Sequence, residues 1–283
     1  MQKLIVSVAL TGNVPTKELN PHLPETAEEI AADVKRCLDA GASVFHMHAR
    51  DADRKPTLDL SVIKENIRLV KAAAARAILQ LSTGGRAGRD WEERVNPVRL
   101  LPEMASFTTG SNNMPNMIYE NSPQFLEYLA RVFQETGVKP EIEVFETGMI
   151  ANALFLEKKR LLTFPFHFQF VLGVPGAMPA SIKNLLFLSE SIPAGSTWTV
   201  AGIGKWEIPL AAAAMVMGGH VRVGLEDNLF LPDGSPASNP KLVETVVRIA
   251  REIGREIATP EETRAILALN PAYKDRVLEA IRF

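Results

Sequence analysis

Leu4-Ile5-Val6-Ser7-Val8-Ala9-Leu10 is followed by a stretch that opens at Thr26-Ala27-Glu28-Glu29 and closes at Ala40-Gly41. Then comes Ser43-Val44-Phe45-His46-Met47-His48-Ala49. The outer two stretches are short apolar runs, and the middle one is amphipathic, so the spacing predicts strand, helix, strand. Thr26 suits a helix N-cap, Glu28 and Glu29 suit the positive end of the helix dipole, and Gly41 suits a left-handed C-terminal cap. Consecutive strands joined by a crossover helix run parallel. Working outward, the same unit recurs. Strands are predicted at 77–82, 104–109, 141–146, 166–172, 197–202 and 220–225, and helices at 61–75, 123–136, 148–159, 181–191, 206–217 and 240–253. Residues 97–101 make a short helix at most, and a helix at 260–269 is appended after the last unit. Eight strand-then-helix cycles predict an α/β chain closed into a (β/α)8 barrel, a single domain over 1–283. The competing arrangement is a doubly wound open sheet. It lacks the GxGxxG that would follow the first strand of a dinucleotide-binding fold.

Composition narrows the classes of function. The chain has 283 residues, 46% hydrophobic and 23% charged, with a net charge of −2. That length buries a large core. Near-neutral charge excludes a general electrostatic grip on nucleic acid, and the scattered arginines have no aromatic stacking platform among them. One cysteine, Cys37, rules out an internal disulfide and a cysteine zinc cluster, and suits a reducing compartment. The apolar run 4–10 is only seven residues, runs into Thr11-Gly12-Asn13 and is followed by no small-residue cleavage site, so it reads as a buried first strand rather than a signal-peptide core, and 209–217 is far below the roughly 20 residues that span a bilayer. The expectation is a cytoplasmic protein with neither membrane nor nucleic acid as partner.

In such a barrel the informative residues are polar ones at the C-terminal ends of strands. Side chains alternate along a strand, so His46 and His48 share a face, opposite Phe45, Met47 and Ala49. Two neutral imidazoles there suit a metal such as zinc; the other reading is a hydrogen-bonded pair of core histidines. The eighth strand reads His220-Val221-Arg222-Val223-Gly224-Leu225-Glu226-Asp227. Arg222, Gly224 and Glu226 share its inner face. Glu226 can complete a His2Glu site, which accepts several divalent ions. Asp227, just past the strand, can stand as a general base. The alternative is a structural Arg222–Glu226 ion pair beside a solvated Asp227. Ser82 precedes Thr83-Gly84-Gly85, whose backbone can approach an anionic ligand or simply make a tight turn. Glu143 points inward and needs a partner, for which Arg222 is a candidate. His167 reads as a satisfied core histidine and His220 as structural. The loops 109–113 and 173–176 offer two weaker ligand contacts.

Several segments together carry a resemblance. They are Thr11-Gly12 with Pro21-His22-Leu23-Pro24; HMHARD from His46 to Asp51; STGG from Ser82 to Gly85; Pro102-Glu103-Met104-Ala105-Ser106; EIEVFETGM from Glu141 to Met149; QFVLGVPG from Gln169 to Gly176; AGIGKW from Ala201 to Trp206; GGHVRVGLEDN from Gly218 to Asn228; and ATPEE from Ala258 to Glu262. Over nearly its whole length the chain resembles the β-keto acid cleavage enzymes. The resemblance implies a zinc-dependent TIM barrel, usually a homotetramer, that converts a β-keto acid and acetyl-CoA into acetoacetate and a new acyl-CoA. It implies zinc ligation by His46, His48 and Glu226, catalysis by Asp227 assisted by Arg222 and Glu143, and substrate contacts at Ser82, Gly85 and Ser106. Family members that cleave the aminohexanoate substrate carry a glutamate for its amino group where this chain has Val14. Valine does not pair with an ammonium, so an uncharged or apolar tail is expected. Arg86 and Arg89 are either contacts for an anionic tail or CoA phosphates, or solvated surface arginines. Two rival functions share the metal set: a keto-acid lyase or aldolase that needs no CoA, and a non-catalytic barrel that binds a small carboxylate.

Overall fold

A computed structural model describes residues 1–85 and 90–281. Eight parallel strands close on themselves: β1 (Val6–Ala9), β2 (Val44–Met47), β3 (Ile78–Leu81), β4 (Met104–Thr108), β5 (Lys139–Val144), β6 (His167–Leu172), β7 (Thr197–Gly202) and β8 (His220–Val223). Closure is made by β1, which pairs with β2 through Ser7–Val44 and with β8 through Val6–Val221. The eight crossover helices are α1 (Ala27–Ala40), α2 (Leu60–Ala73), α3 (Trp91–Arg99), α4 (Pro123–Thr136), α5 (Gly148–Lys158), α6 (Ile182–Ser191), α7 (Glu207–Met217) and α8 (Asn239–Glu252). The expected (β/α)8 barrel is therefore the observed architecture. No helix among the described residues is long and apolar enough to cross a membrane.

The caps follow the local sequence. Thr26 accepts from Glu29 N while the Glu29 carboxylate accepts from Thr26 N, a reciprocal pair that opens α1. Gly41 closes it at φ +115°. Ser122 and Pro123 open α4, which ends on Gly137.

Three features depart from the sequence expectation. α3 is a full helix rather than a short turn at 97–101: Asp90 caps it by accepting from Glu92 N and Glu93 N. Its polar composition and internal Pro97 hide it from a periodicity reading. After β4 the chain forms a small antiparallel hairpin, Asn112–Met114 with Met117–Tyr119. The appended helix is present as α9 (Pro260–Ile266), and a further short helix, α10 (Arg276–Ala280), follows it. Arg264 anchors α9 beneath the barrel through two bonds to the buried Glu103 carboxylate, at 2.6 and 2.8 Å.

Candidate active site

The strand register sets which inward side chains lie level with one another. His46 on β2 lies level with Ala9 on β1 and Gln80 on β3, and Glu143 on β5 lies level with Thr108 on β4 and Gln169 on β6. His46 Nδ1 sits 2.7 Å from Gln80 Oε1. A carbonyl oxygen only accepts, so Nδ1 carries the hydrogen and Nε2 keeps its lone pair. That Nε2 is 3.1 Å from His48 Nε2. Burial pushes His46 down to about 4, so its ring is neutral at pH 7.

Glu226 completes the group by a turn rather than by strand alternation. β8 ends at Val223, and Gly224 adopts φ +146°. A Cβ on Gly224 would lie 2.1 Å from Ala9 O, so only glycine fits. The chain then folds back, and Glu226 N donates to Ala9 O. Its Oε1 stands 3.5 Å from His48 Nε2 and its Oε2 3.8 Å from His46 Nε2. One donor atom from each residue falls within 4.8 Å of the others. Glu226 Oε2 is buried without a hydrogen-bond partner. Two facing imidazoles and an orphaned carboxylate oxygen are the donor set a divalent cation satisfies, and zinc fits it. The carboxylate is packed in place by Gly12, where a Cβ would meet Glu226 Cγ at 2.6 Å.

Arg222 ties this group to the next. Its Nε donates to Asp227 Oδ2 at 2.7 Å, and its Nη2 to Asp227 Oδ1 at 3.0 Å and Glu226 Oε1 at 2.9 Å. Its Nη1 is 3.8 Å from Glu143 Oε1. The fork thus serves three carboxylates, and Asp227 is paired rather than solvated. Against the cost of burial, the facing His48 ring, Arg222 and His46 hold Glu226 well below the ordinary carboxylate range. Burial raises Asp227, with Arg222 pulling the other way. Burial also lifts Glu143 to about 7, restrained by Arg222 and by the Thr108 hydroxyl, which donates to Glu143 Oε2 at 2.5 Å. Buried groups with pKa values pushed toward neutrality, gathered in one cleft, are what acid–base chemistry requires.

These side chains line one cavity of about 350 Å³. Val14, Ser82, Gly84 and Gly85 form part of its wall, together with Glu143, Arg222, Glu226 and Asp227. Apolar side chains from the loops, including Met114, Phe145, Val174 and Ile203, complete the mouth. Of the two loops noted in the sequence, 173–176 contributes Val174 and Pro175, and 109–113 leads into the hairpin that carries Tyr119. Ser106 does not reach the cavity wall. It is 1% exposed, accepts from Thr83 N through its hydroxyl and from Thr83 Oγ1 through its carbonyl, and so supports the Ser82–Gly85 turn from behind. Arg86 and Arg89 lie outside the described residues. His167 is a core histidine, 3.2 Å from Glu141 and 2.8 Å from Thr197 Oγ1, and His220 Nδ1 accepts from Ile5 N.

Four supporting residues went unread in the sequence. Arg50 is buried and donates to Gly12 O and Pro15 O, fixing the loop that bears Val14. Arg94 donates to Thr83 O, Glu120 O and Asn121 Oδ1. Glu207 accepts from Gly224 N, and Asn239 Oδ1 accepts from Leu225 N, together shaping the turn before Glu226. Each acts through bonds to backbone or side chains far along the chain, which spacing in the sequence does not encode.

The barrel with its convergent donors and paired carboxylates defines an enzyme of the (β/α)8 class. Residues 3–269 match the model of the beta-keto acid cleavage enzyme family, and the chain belongs to that family. It is 48% identical over 271 residues to a 3-keto-5-aminohexanoate cleavage enzyme of Fusobacterium nucleatum, covering 95% of this chain and 99% of that one. It is 37% identical to a 3-oxoadipate:acetyl-CoA acetyltransferase of Cupriavidus necator, covering 95% of each. Among solved structures, a ternary complex of ObcA with a C4-CoA adduct and oxalate superposes with a TM-score of 0.76 at 25% identity. That match covers 88% of this chain and 68% of ObcA.

Proposed function

We propose that this β-keto acid cleavage enzyme condenses a β-keto acid with acetyl-CoA to give acetoacetate and the acyl-CoA of the remaining tail, using a divalent metal, zinc, held by His46, His48 and Glu226. The observation that carries this reading is the convergence of those three donors beside the Arg222–Asp227 pair on a single cavity wall. When bound, the metal supplies Lewis-acid polarisation of the keto and carboxylate oxygens, which acidifies the carbon between them. Asp227 removes that proton, its carboxylate oriented by the Arg222 fork. Arg222 stays charged throughout, because three carboxylates surround it, and offsets negative charge as the enolate carbon attacks the thioester. Glu143, poised near 7, shuttles a proton between successive oxyanions. The Ser82 hydroxyl, on the cavity wall, holds the substrate carboxylate, with Ser106 steadying the turn through Thr83.

The tail faces Val14 and the apolar loop residues, which supports an uncharged tail rather than an ammonium. A cytoplasmic homotetramer completes the reading. The half-exposed apolar side chains of Phe155 on α5 and Ile182, Leu186 and Phe187 on α6 support association of subunits.

The test is acetoacetate formation from β-keto acids with apolar, cationic and anionic tails, with and without acetyl-CoA, on zinc-loaded protein. The expected result is acetyl-CoA-dependent acetoacetate, fastest from apolar tails and abolished by chelation. Cleavage without acetyl-CoA would make the protein a lyase instead. Val14→Glu is expected to shift preference toward the amino-bearing acid; no gain would remove Val14 from the specificity account.

A further inference from the structure

Tyr119 stands in the cavity wall on the hairpin after β4, with its side chain 7% exposed. Its ring packs edge-on against Phe145, with centroids 6.4 Å apart. Its hydroxyl lies 3.3 Å from Thr108 Oγ1 and also meets the Arg94 guanidinium, which can only donate to it. The bond to Thr108 is long for a hydroxyl pair. Thr108 has a single hydrogen, and its 2.5 Å contact to Glu143 Oε2 commits that hydrogen to the carboxylate. Tyr119 is therefore the donor in the long bond, and turning its hydrogen into the cavity sacrifices little. The cavity side is open: a Cβ at Gly84 would lie 3.1 Å from Ser82 Oγ and 3.8 Å from Tyr119 OH, so the glycine leaves space in front of both hydroxyls.

Position indicates what the phenol meets. The donor cluster lies on and just past β2 and after β8, flanking β1, and Glu143 lies on β5, on the opposite side of the ring of strands. Tyr119 and Gly85 also bound a second cavity of about 590 Å³, whose wall includes Trp91, Arg94 and Ile118. A reaction between two substrates needs the second to reach the first from outside. Tyr119 stands where these two spaces adjoin.

Resting on the proposed reaction, we propose that Tyr119 is a further catalytic residue, whose phenolic hydrogen bonds to the acetyl-CoA thioester oxygen and strengthens its hold as that oxygen becomes an oxyanion. In this step a C–C bond forms between C2 of the β-keto acid and the thioester carbonyl carbon. The carbonyl π pair moves onto oxygen, and Tyr119 keeps its proton. Collapse of the adduct returns the pair and breaks the C–S bond, releasing CoA thiolate. Burial keeps Tyr119 a phenol by raising its pKa, while Arg94, 5.6 Å from the ring centre, is the main counterweight.

Tyr119→Phe removes one oxygen and keeps the ring. With 3-oxohexanoate and acetyl-CoA as probes, kcat for acetoacetate is expected to fall about 100-fold or more. Exchange of the C2 hydrogens of 3-oxohexanoate with D2O precedes the thioester step and is expected to stay within about threefold of wild type. Unchanged acetoacetate kcat in the variant would overturn the assignment. So would exchange that falls in proportion to transfer, because the phenol would then serve enolate formation or the fold of the site. Wild-type protein that forms no acetoacetate would overturn the reaction itself, a result visible without the variant.

Discussion

At the scale of single residues, the account turns on Asp227 and the Arg222 fork that holds it. Asp227→Asn keeps the shape and removes the base. The expected loss in kcat is on the order of 10²–10⁴-fold. Bound metal should be unchanged, because His46, His48 and Glu226 are untouched; metal stoichiometry measured alongside kcat checks both halves. Sequence made part of this site legible. His46 on β2 and His48 just past its end are separated by one residue, and the alternation read from the sequence places them together. Glu226 was assigned to the same inner face as Arg222 for a reason the structure replaces: the strand stops at Val223, and the turn at Gly224 delivers the carboxylate. Tyr119 and Thr108 were not legible. Their importance depends on contacts at 3.3 and 2.5 Å between residues that neighbouring loops and strands bring together, which spacing along the chain does not encode.

At the scale of elements, the strand ends bear the chemistry and the loops are pinned by buried cations. Arg94 on α3 binds three acceptors on two separate segments, the turn after β3 and the end of the hairpin. Arg94→Met is expected to leave those acceptors unpaired, at a cost of about 3 kcal/mol in unfolding free energy, with a raised KM for the acyl donor. Urea unfolding and steady-state kinetics measure the two effects. α4 and α1 were legible to the residue because each has a polar cap, an apolar stripe and a closing glycine. α3 was not, because Trp91-Glu92-Glu93-Arg94-Val95-Asn96-Pro97 holds three charges in a row and a proline and has no apolar stripe. The hairpin was missed because its strands are three residues each, too short for a period to register.

At the scale of the whole molecule, the barrel buries ionisable groups that only a bound cation and precise pairing make tolerable. In metal-free protein the contribution of His46 to stability should therefore be sensitive to acid. His46 lies near 4 in the folded chain against 6.5 for a free histidine. Between those values the unfolded chain binds the extra proton, so stability falls as pH drops from 6.5 toward 4, by on the order of 3 kcal/mol from this group. Glu143, lifted to about 7, gains stability over the same range, so the test compares chelated wild type with chelated His46→Gln at pH 7.5 and pH 4.5; a difference between the two proteins that does not change with pH would contradict the buried, neutral His46. Saturating zinc should raise stability at pH 7.5 by an amount set by its affinity. The central claim is that one barrel joins an acetyl group to a fragment of a β-keto acid. The most direct measurement supplies acetyl-CoA carrying ¹³C at the acetyl carbonyl, with an unlabelled apolar β-keto acid, and follows the label by NMR. The account predicts ¹³C at the keto carbon of acetoacetate and an unlabelled acyl-CoA built from the tail. Label that stays in acetyl-CoA while the keto acid is cleaved would contradict it.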